Sequence, residues 1–193
     1  IHERLVGSEM CIRDSINADF SQKAVINTQE APWLPSPMAG VNRIPLDRIG
    51  DEVAIATTIV SYAPNSSFPK HSHAAGEEIL VLEGTFSDET GDYSAGMYLR
   101  NPPNSSHTPY SKEGCTIFVK LRQFHPDDSA TIRIDTNNTA WYPGLVPGLS
   151  VMPLHEFDGV GTALVRWAPN TVFNPHVHPG GEEIPVSYTH LRA

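Results

Sequence analysis

The chain repeats itself, and the repeat constrains the fold more than any local preference does, because both copies must satisfy one topology. "WLPSPMAGVNRIPL" from Trp33 lines up with "WYPGLVPGLSVMPL" from Trp141 at a constant offset of 108, matching Trp, Pro, Gly, Pro and Leu. After a three-residue shortening, "APNSSFPKHSHAAGEEI" from Ala63 lines up with "APNTVFNPHVHPGGEEI" from Ala168 at offset 105. The matches there are Ala, Pro, Asn, Phe, both His, Gly, both Glu and Ile. Two unrelated β-rich segments would share apolar alternation, but not the spacing of polar and imidazole residues. The sequence therefore predicts a duplicated domain. Residues 16–125 form a complete first unit, and residues 126–140, rich in Asp, Ser, Thr and Asn, form a connection with one short strand. Residues 141–184 form a second unit that stops about halfway.

Strand signals fill each copy. Gly and Pro total 31 of 193 residues, against a typical ~12%, which favours short strands and turns over long helices. "VAIATTIVSY" (Val53 to Tyr62) is rich in β-branched residues, "EEILVLEG" ends at a Gly turn, and "GDYSAGMYL" and "CTIFVKLRQF" follow. In the last, Cys115, Ile117, Val119 and Leu121 share one face. No segment of the first copy carries a 3.6-residue apolar stripe, so the expected architecture is all-β, a jelly roll with almost no helix. A half-built second barrel would expose strand edges, so the second copy is expected either to be poorly ordered or to lean on the first.

Thirteen Lys+Arg against 22 Asp+Glu give a net charge of -9, which argues against nucleic acid as a partner. No apolar run approaches the ~18 to 20 residues of a membrane span, and a soluble, cytoplasmic protein is expected. Two cysteines, Cys11 and Cys115, make no disulfide framework. Cys115 reads as a small buried hydrophobe. Residues 1–15 ("IHERLVGSEMCIRDS") and 185–193 ("PVSYTHLRA") share neither the periodicity nor the turn logic of the rest. Both ends resemble translated sequencing-adapter read-through and are set aside as non-native.

Five of the nine histidines fall into one pattern. His71, His73 and Glu77 stand at H-x-H-x3-E, and His176, His178 and Glu182 repeat it. The two-residue period of a strand points both imidazoles of H-x-H to the same side, where they can converge on one ion. A Gly-containing bend, Ala74 to Gly76, then lets Glu77 return from the next strand with an anionic oxygen. Glu78, of opposite parity, is expected to point outward. Gly96, Pro102, Asn104 and His107 form G-x5-P-x-N-x2-H, a tight loop that returns His107 to the barrel interior as a fourth ligand. Three imidazoles and a carboxylate suit Zn, Fe, Mn, Ni or Cu and not the all-oxygen shells of Ca or Mg. The competing reading is a set of hydrogen-bonded barrel histidines. At this chain's His and Glu frequencies, one H-x-H-x3-E arises by chance in roughly 3 of 100 sequences, and its recurrence inside an aligned repeat argues against chance. The second trio ends before any counterpart of His107. His125 and His155 lie outside the pattern and are expected at the surface or in turns. Tyr62, Tyr93, Tyr98 and Phe118 are assigned to core packing ahead of lining a pocket.

These motifs resemble those of the cupin superfamily, G-x5-H-x-H-x3,4-E-x6-G and G-x5-P-x-G-x2-H-x3-N. Here Asn65 stands for the first Gly, Asn104 for the Gly of the second motif and Ser111 for its closing Asn. "SFPKHSHAAGEEILVLEGTFSDETGDYSAGMYLRNPPNSSHTP" with "GCTIFVKLRQF" is similar to the ChrR-type cupin domain, named for the zinc-binding sensor domain of a bacterial anti-sigma factor. The resemblance implies a double-stranded β-helix in tandem, the second copy truncated. It also implies one divalent transition metal per complete cupin, held by His71, His73, Glu77 and His107, with zinc foremost and iron or manganese next; His176, His178 and Glu182 make a second, incomplete site. Anti-sigma activity is not implied, because in that family it resides in a separate helical zinc module with an H-x3-C-x2-C arrangement, and Cys11 here stands alone. The expected role is a sensor or small-ligand-binding module, a homodimer being compatible with it. The alternative is a metal-dependent dioxygenase acting on a diketone or phenolic ketone.

Overall fold

The computed structural model describes residues 15–50 and 53–186. Cys11 and most of both adapter-like ends lie outside the described residues. Among those described there is no helix, and hence none long and apolar enough to cross a membrane. The strands, in chain order, are β1 (Ser15–Ile16), β2 (Leu34–Pro35), β3 (Val41–Ile49), β4 (Ile55–Tyr62), β5 (Ser66–Ser67), β6 (His71–His73), β7 (Glu77–Asp88) and β8 (Gly91–Ser94). There follow β9 (Met97–Asn101), β10 (Ser105–His107), β11 (Tyr110–Ser111), β12 (Cys115–Leu121), β13 (Ile132–Asp135), β14 (Tyr142–Pro143), β15 (Leu149–Phe157) and β16 (Val160–Trp167).

The first copy is a jelly roll whose layers meet along β7. The first half of β7 pairs with β12 and β9, and β12 pairs in turn with β4, β4 with β3 and β9 with β13. Its second half pairs with β8 and β11. The pairing with β12 slips by a residue at Leu82, and the strand passes between layers just beyond, at Gly84. A 12-residue strand thus runs on to Asp88 where the sequence suggested a turn at Gly84. Gly84 has φ 69°, and a Cβ there would lie 2.2 Å from the Gly114 carbonyl oxygen, so only glycine can make this bend.

Alternation along the strands fills the core. Ile79 and Val81 of β7, Leu99 of β9, and Cys115, Ile117 and Val119 of β12 meet Val41, Tyr62, Phe86 and Tyr93 in one apolar cluster. Tyr62, Tyr93 and Tyr98 are buried in packing, and burial pushes the Cys115 thiol up to about 11, away from reactivity.

The second copy reproduces the hairpin strands β2, β3 and β4 of the first copy in position. β14 and β15 lie 108 positions after β2 and β3, and β16 lies 105 after β4, so the shortening falls in one turn. Both long hairpins slip register at the same place, between Pro45 and Asp47 and between Pro153 and His155. The three strands form a sheet of their own, and from residue 168 to 186 the chain carries no further strand. Met152 and Leu154, with Trp141 and Leu164, pack on the outer face of the first barrel against Tyr98, Leu80, Ile132 and Ile134. The second copy thus leans on the first through an apolar seam.

Candidate metal centre

Two three-residue strands gather the imidazoles. In the antiparallel pair β6–β10, His107 lies opposite His71 and Ser105 opposite His73. Asn104, at φ 67°, makes the turn into β10, and its N–H donates to the His73 carbonyl at 2.8 Å. Gly76, at φ 79°, closes the bend from His73 to Glu77; a Cβ there would stand 2.4 Å from the Phe124 ring. β7 opens on Glu77, whose parity with Ile79 and Val81 turns it inward.

One donor atom from each of His71, His73, Glu77 and His107 lies within 4.8 Å of all the others. His73 Nε2 stands 3.4 Å from Glu77 Oε2, and His107 Nε2 stands 3.5 Å from the same oxygen. Both nitrogens are buried and, among the described residues, have no hydrogen-bond partner. The other ring nitrogens are occupied: His71 Nδ1 meets the Pro69 carbonyl at 3.0 Å, His73 Nδ1 the Ser105 hydroxyl at 3.1 Å, and His107 Nδ1 an Asp88 carboxylate oxygen at 3.3 Å. The carbonyl and carboxylate fix the proton of His71 and His107 on Nδ1, which leaves the Nε2 lone pairs free. Asn101 Nδ2 donates to Glu77 Oε2 at 3.0 Å.

The electrostatics favour ligation over protonation. Burial, then the neighbouring His107 and His71, push His73 down to about 3. His107 also falls below its ordinary value, through burial and His71, with Asp88 opposing. Burial pushes Glu77 up to about 7, against the hydrogen bond from Asn101. Two imidazoles are therefore neutral at physiological pH, with their Nε2 lone pairs aimed at one oxygen of Glu77. A tetrahedral ion ~2.1 Å from each donor would set donors ~3.4 Å apart, which the two measured separations match. The residues fit a divalent transition ion.

The second trio adopts the same local shape in the open. His176 Nδ1 meets the Asn174 carbonyl at 3.0 Å, and His178 Nε2 stands 3.5 Å from Glu182 Oε2. All three residues are exposed, and among the described residues only the first-copy group gathers three or more such donors.

Two expectations are corrected. Glu78 does face away from the centre, as parity requires, yet it is buried: it accepts from Tyr98 Oη at 2.8 Å and from Arg100 Nη1 at 2.9 Å. His155 is not a surface residue; its Nε2 lies 2.7 Å from Asp128 Oδ2, which also accepts from Arg100 Nη2 at 2.6 Å. Both are covered because the seam between the copies runs over this face. His125 is exposed, as expected. Sequence reasoning missed Ser105, Asp88 and Asn101, which hold His73, His107 and Glu77 in place. Asn101 was within reach, since it shares the inward parity of Leu99 on β9.

A jelly roll with three histidines and a glutamate converging at one end defines the class as a cupin. The profile of the ChrR cupin-like domain matches residues 21–125 and again residues 129–189, and the chain belongs to that family. The solved complex of Rhodobacter sphaeroides SigE with the anti-sigma factor ChrR is similar to it at 25% identity and TM-score 0.42, over 49% of this chain and 51% of that one. A dioxygenase candidate from Nostoc punctiforme PCC 73102 aligns at 18% identity and TM-score 0.55, over 68% of this chain and 53% of the other. A candidate glyoxylate-induced protein from Pseudomonas aeruginosa aligns at 13% identity and TM-score 0.54, over 71% and 59%. The chain spans about half the length of the first two. The likenesses to the Nostoc and Pseudomonas structures show the fold and no chemistry. No curated protein matches the sequence.

Proposed function

We propose that the chain is a cytoplasmic metal-binding cupin module that senses or binds a small ligand at one divalent ion held by His71, His73, Glu77 and His107. The observation that carries this reading is the pair of buried, unpartnered Nε2 atoms of His73 and His107 aimed at one oxygen of Glu77. A bound ion would supply Lewis acidity and a coordination point for the ligand. The protein supplies the rest. The Pro69 carbonyl, Ser105 and Asp88 hold the three rings in orientation, and Asn101 holds the carboxylate. Three neutral imidazoles and one carboxylate leave a divalent site near +1, which favours an anionic ligand. His71, less buried than the other three, marks the side from which a ligand reaches the centre. Zinc suits this donor set best, with iron and manganese next. His176, His178 and Glu182 make a second, incomplete set.

Metal analysis of the purified protein tests the assignment, with His71→Ala and His107→Ala as controls. One equivalent in the wild type and loss in both variants is the expected result. Stoichiometric metal in both variants would overturn it. Oxygen uptake by the Fe(II)-loaded protein with acetylacetone would move the chain to the dioxygenase reading.

A further inference from the structure

The connection between the copies reaches into the centre. β13 pairs with β9, Arg133 lying opposite Leu99, so Arg133 shares the inward face while Ile132 and Ile134 pack in the seam. Its guanidinium makes four hydrogen bonds. Nη2 donates to Asn101 Oδ1 at 2.7 Å, Nε to Tyr93 Oη at 3.2 Å, and Nη1 to the carbonyls of Arg100 at 2.9 Å and Ile132 at 2.8 Å.

Two branches run from this one group to two of the four site residues, Glu77 and His107. Through Asn101, which donates onward to Glu77 Oε2 at 3.0 Å, it reaches the carboxylate. Through Tyr93 Oη, which lies 2.6 Å from Thr90 Oγ1, it reaches Asp88, where Thr90 donates to Oδ1 at 2.6 Å. Asp88 in turn holds His107 Nδ1 at 3.3 Å by its other oxygen. An amide has one carbonyl oxygen and one NH2, and with the oxygen fixed by Arg133 only the NH2 can face Glu77.

We propose that Arg133 is a positioning residue for the metal centre: it fixes the flip of Asn101, and so the oxygen that Glu77 presents, and it braces Asp88 behind His107. This rests on the metal reading above. A group outside the first barrel's own 16–125 span thereby completes that barrel's site. Groups standing behind ligands commonly set affinity by 10- to 100-fold.

The test is a zinc affinity by chelator competition, with the Co(II) absorption spectrum as a second readout. It compares the wild type, Arg133→Met, Arg133→Lys, Asn101→Ala and the Arg133→Met/Asn101→Ala double variant. Arg166→Met, which removes a guanidinium stacked on Trp141, controls for generic loss of an arginine. Arg133→Met is expected to weaken zinc about 10-fold or more and to shift the Co(II) bands, while Arg166→Met does neither. Arg133→Lys keeps the charge on β13 but loses the fork, and is expected to fold and fall in between. Removing Asn101 after Arg133 is expected to cost little more, since both act through one oxygen. Unchanged affinity and spectrum in Arg133→Met, or in Arg133→Lys should the first not fold, would overturn the proposal, as would additive losses in the double variant. A wild type that holds no zinc would instead overturn the metal reading beneath it.

Discussion

Arg100→Met should be the most informative substitution outside the centre. Arg100 is buried on the outer face of β9, with its guanidinium 3.9 Å above the Phe124 ring. It bonds Glu78 at 2.9 Å and Asp128 at 2.6 Å, tying β7 to the connection, and His155 of β15 meets the same oxygen of Asp128 at 2.7 Å. Removing one partner of a buried ion pair costs about 3–5 kcal/mol. Glu78 keeps Tyr98 Oη, Asp128 keeps His155 and the Ala130 N–H, and Met keeps the packing of the stem. The lower end, about 3 kcal/mol, is therefore expected. At a urea slope of about 2 kcal/mol/M the midpoint falls by about 1.5 M. Trp141, packed in the seam, provides the fluorescence signal. Adding Glu78→Gln removes the stranded charge and should recover part of the loss. A midpoint shift below about 0.5 M, or a double variant weaker than Arg100→Met, would refute the reasoning that these charges are desolvated and mutually dependent.

Three further outcomes follow from the same structure. Gly84→Ala forces a Cβ against the Gly114 carbonyl and the Cys115 backbone at φ 69°, so a loss of about 3 kcal/mol or more is expected by thermal melting. Zinc at 100 times its dissociation constant should add about 2.7 kcal/mol to stability; EDTA should abolish the gain, and His107→Ala should show none. In the metal-free protein Glu77 is raised from 4.5 to about 7. Its contribution is complete below pH 4.5 and is lost as pH rises through about 7. Glu77→Gln should therefore gain on the wild type by about 3 kcal/mol between pH 4.5 and 8, read from urea midpoints in EDTA; an equal difference at both pH values would count against the burial of that carboxylate.

The repeat made the backbone legible and left the cover invisible. Offsets of 108 and 105 read from the sequence recur in the strands and in the slipped register of both hairpins. Even single bonds recur: Ala63 N–H to the Gly40 carbonyl is 2.7 Å, and Ala168 N–H to that of Gly148 is 2.8 Å. Such features depend on turn residues close in sequence. Burial does not. Tyr62 is 6% exposed, whereas Trp167 in the matching place on β16 is 46% exposed. The difference is β12, which pairs with β4 from more than fifty residues downstream, while among the described residues β16 pairs with β15 alone. The same reasoning explains the misplaced His155: the residues covering it come from the other copy.

The ligands themselves were legible because a two-residue period puts His71, His73 and Glu77 on one side using neighbours only. Their supports depend on which strand pairs with which, and that arrangement makes a last prediction possible. On β7 and β9 adjacent residues face opposite ways: Glu77 and Asn101 meet inside, and Glu78 and Arg100 meet outside. The centre and the ion cluster under the seam thus share two strands. Their coupling differs by residue. Arg133 touches the centre's supports with its side chain, but takes from Arg100 only the backbone carbonyl, at 2.9 Å. A side-chain change at Arg100 leaves that carbonyl in place. Arg100→Met should therefore lower the urea midpoint while zinc affinity stays within about twofold, whereas Arg133→Met should weaken zinc about 10-fold. Equal loss of zinc in both would mean that the two faces of β9 move as one and that the supports are not separable.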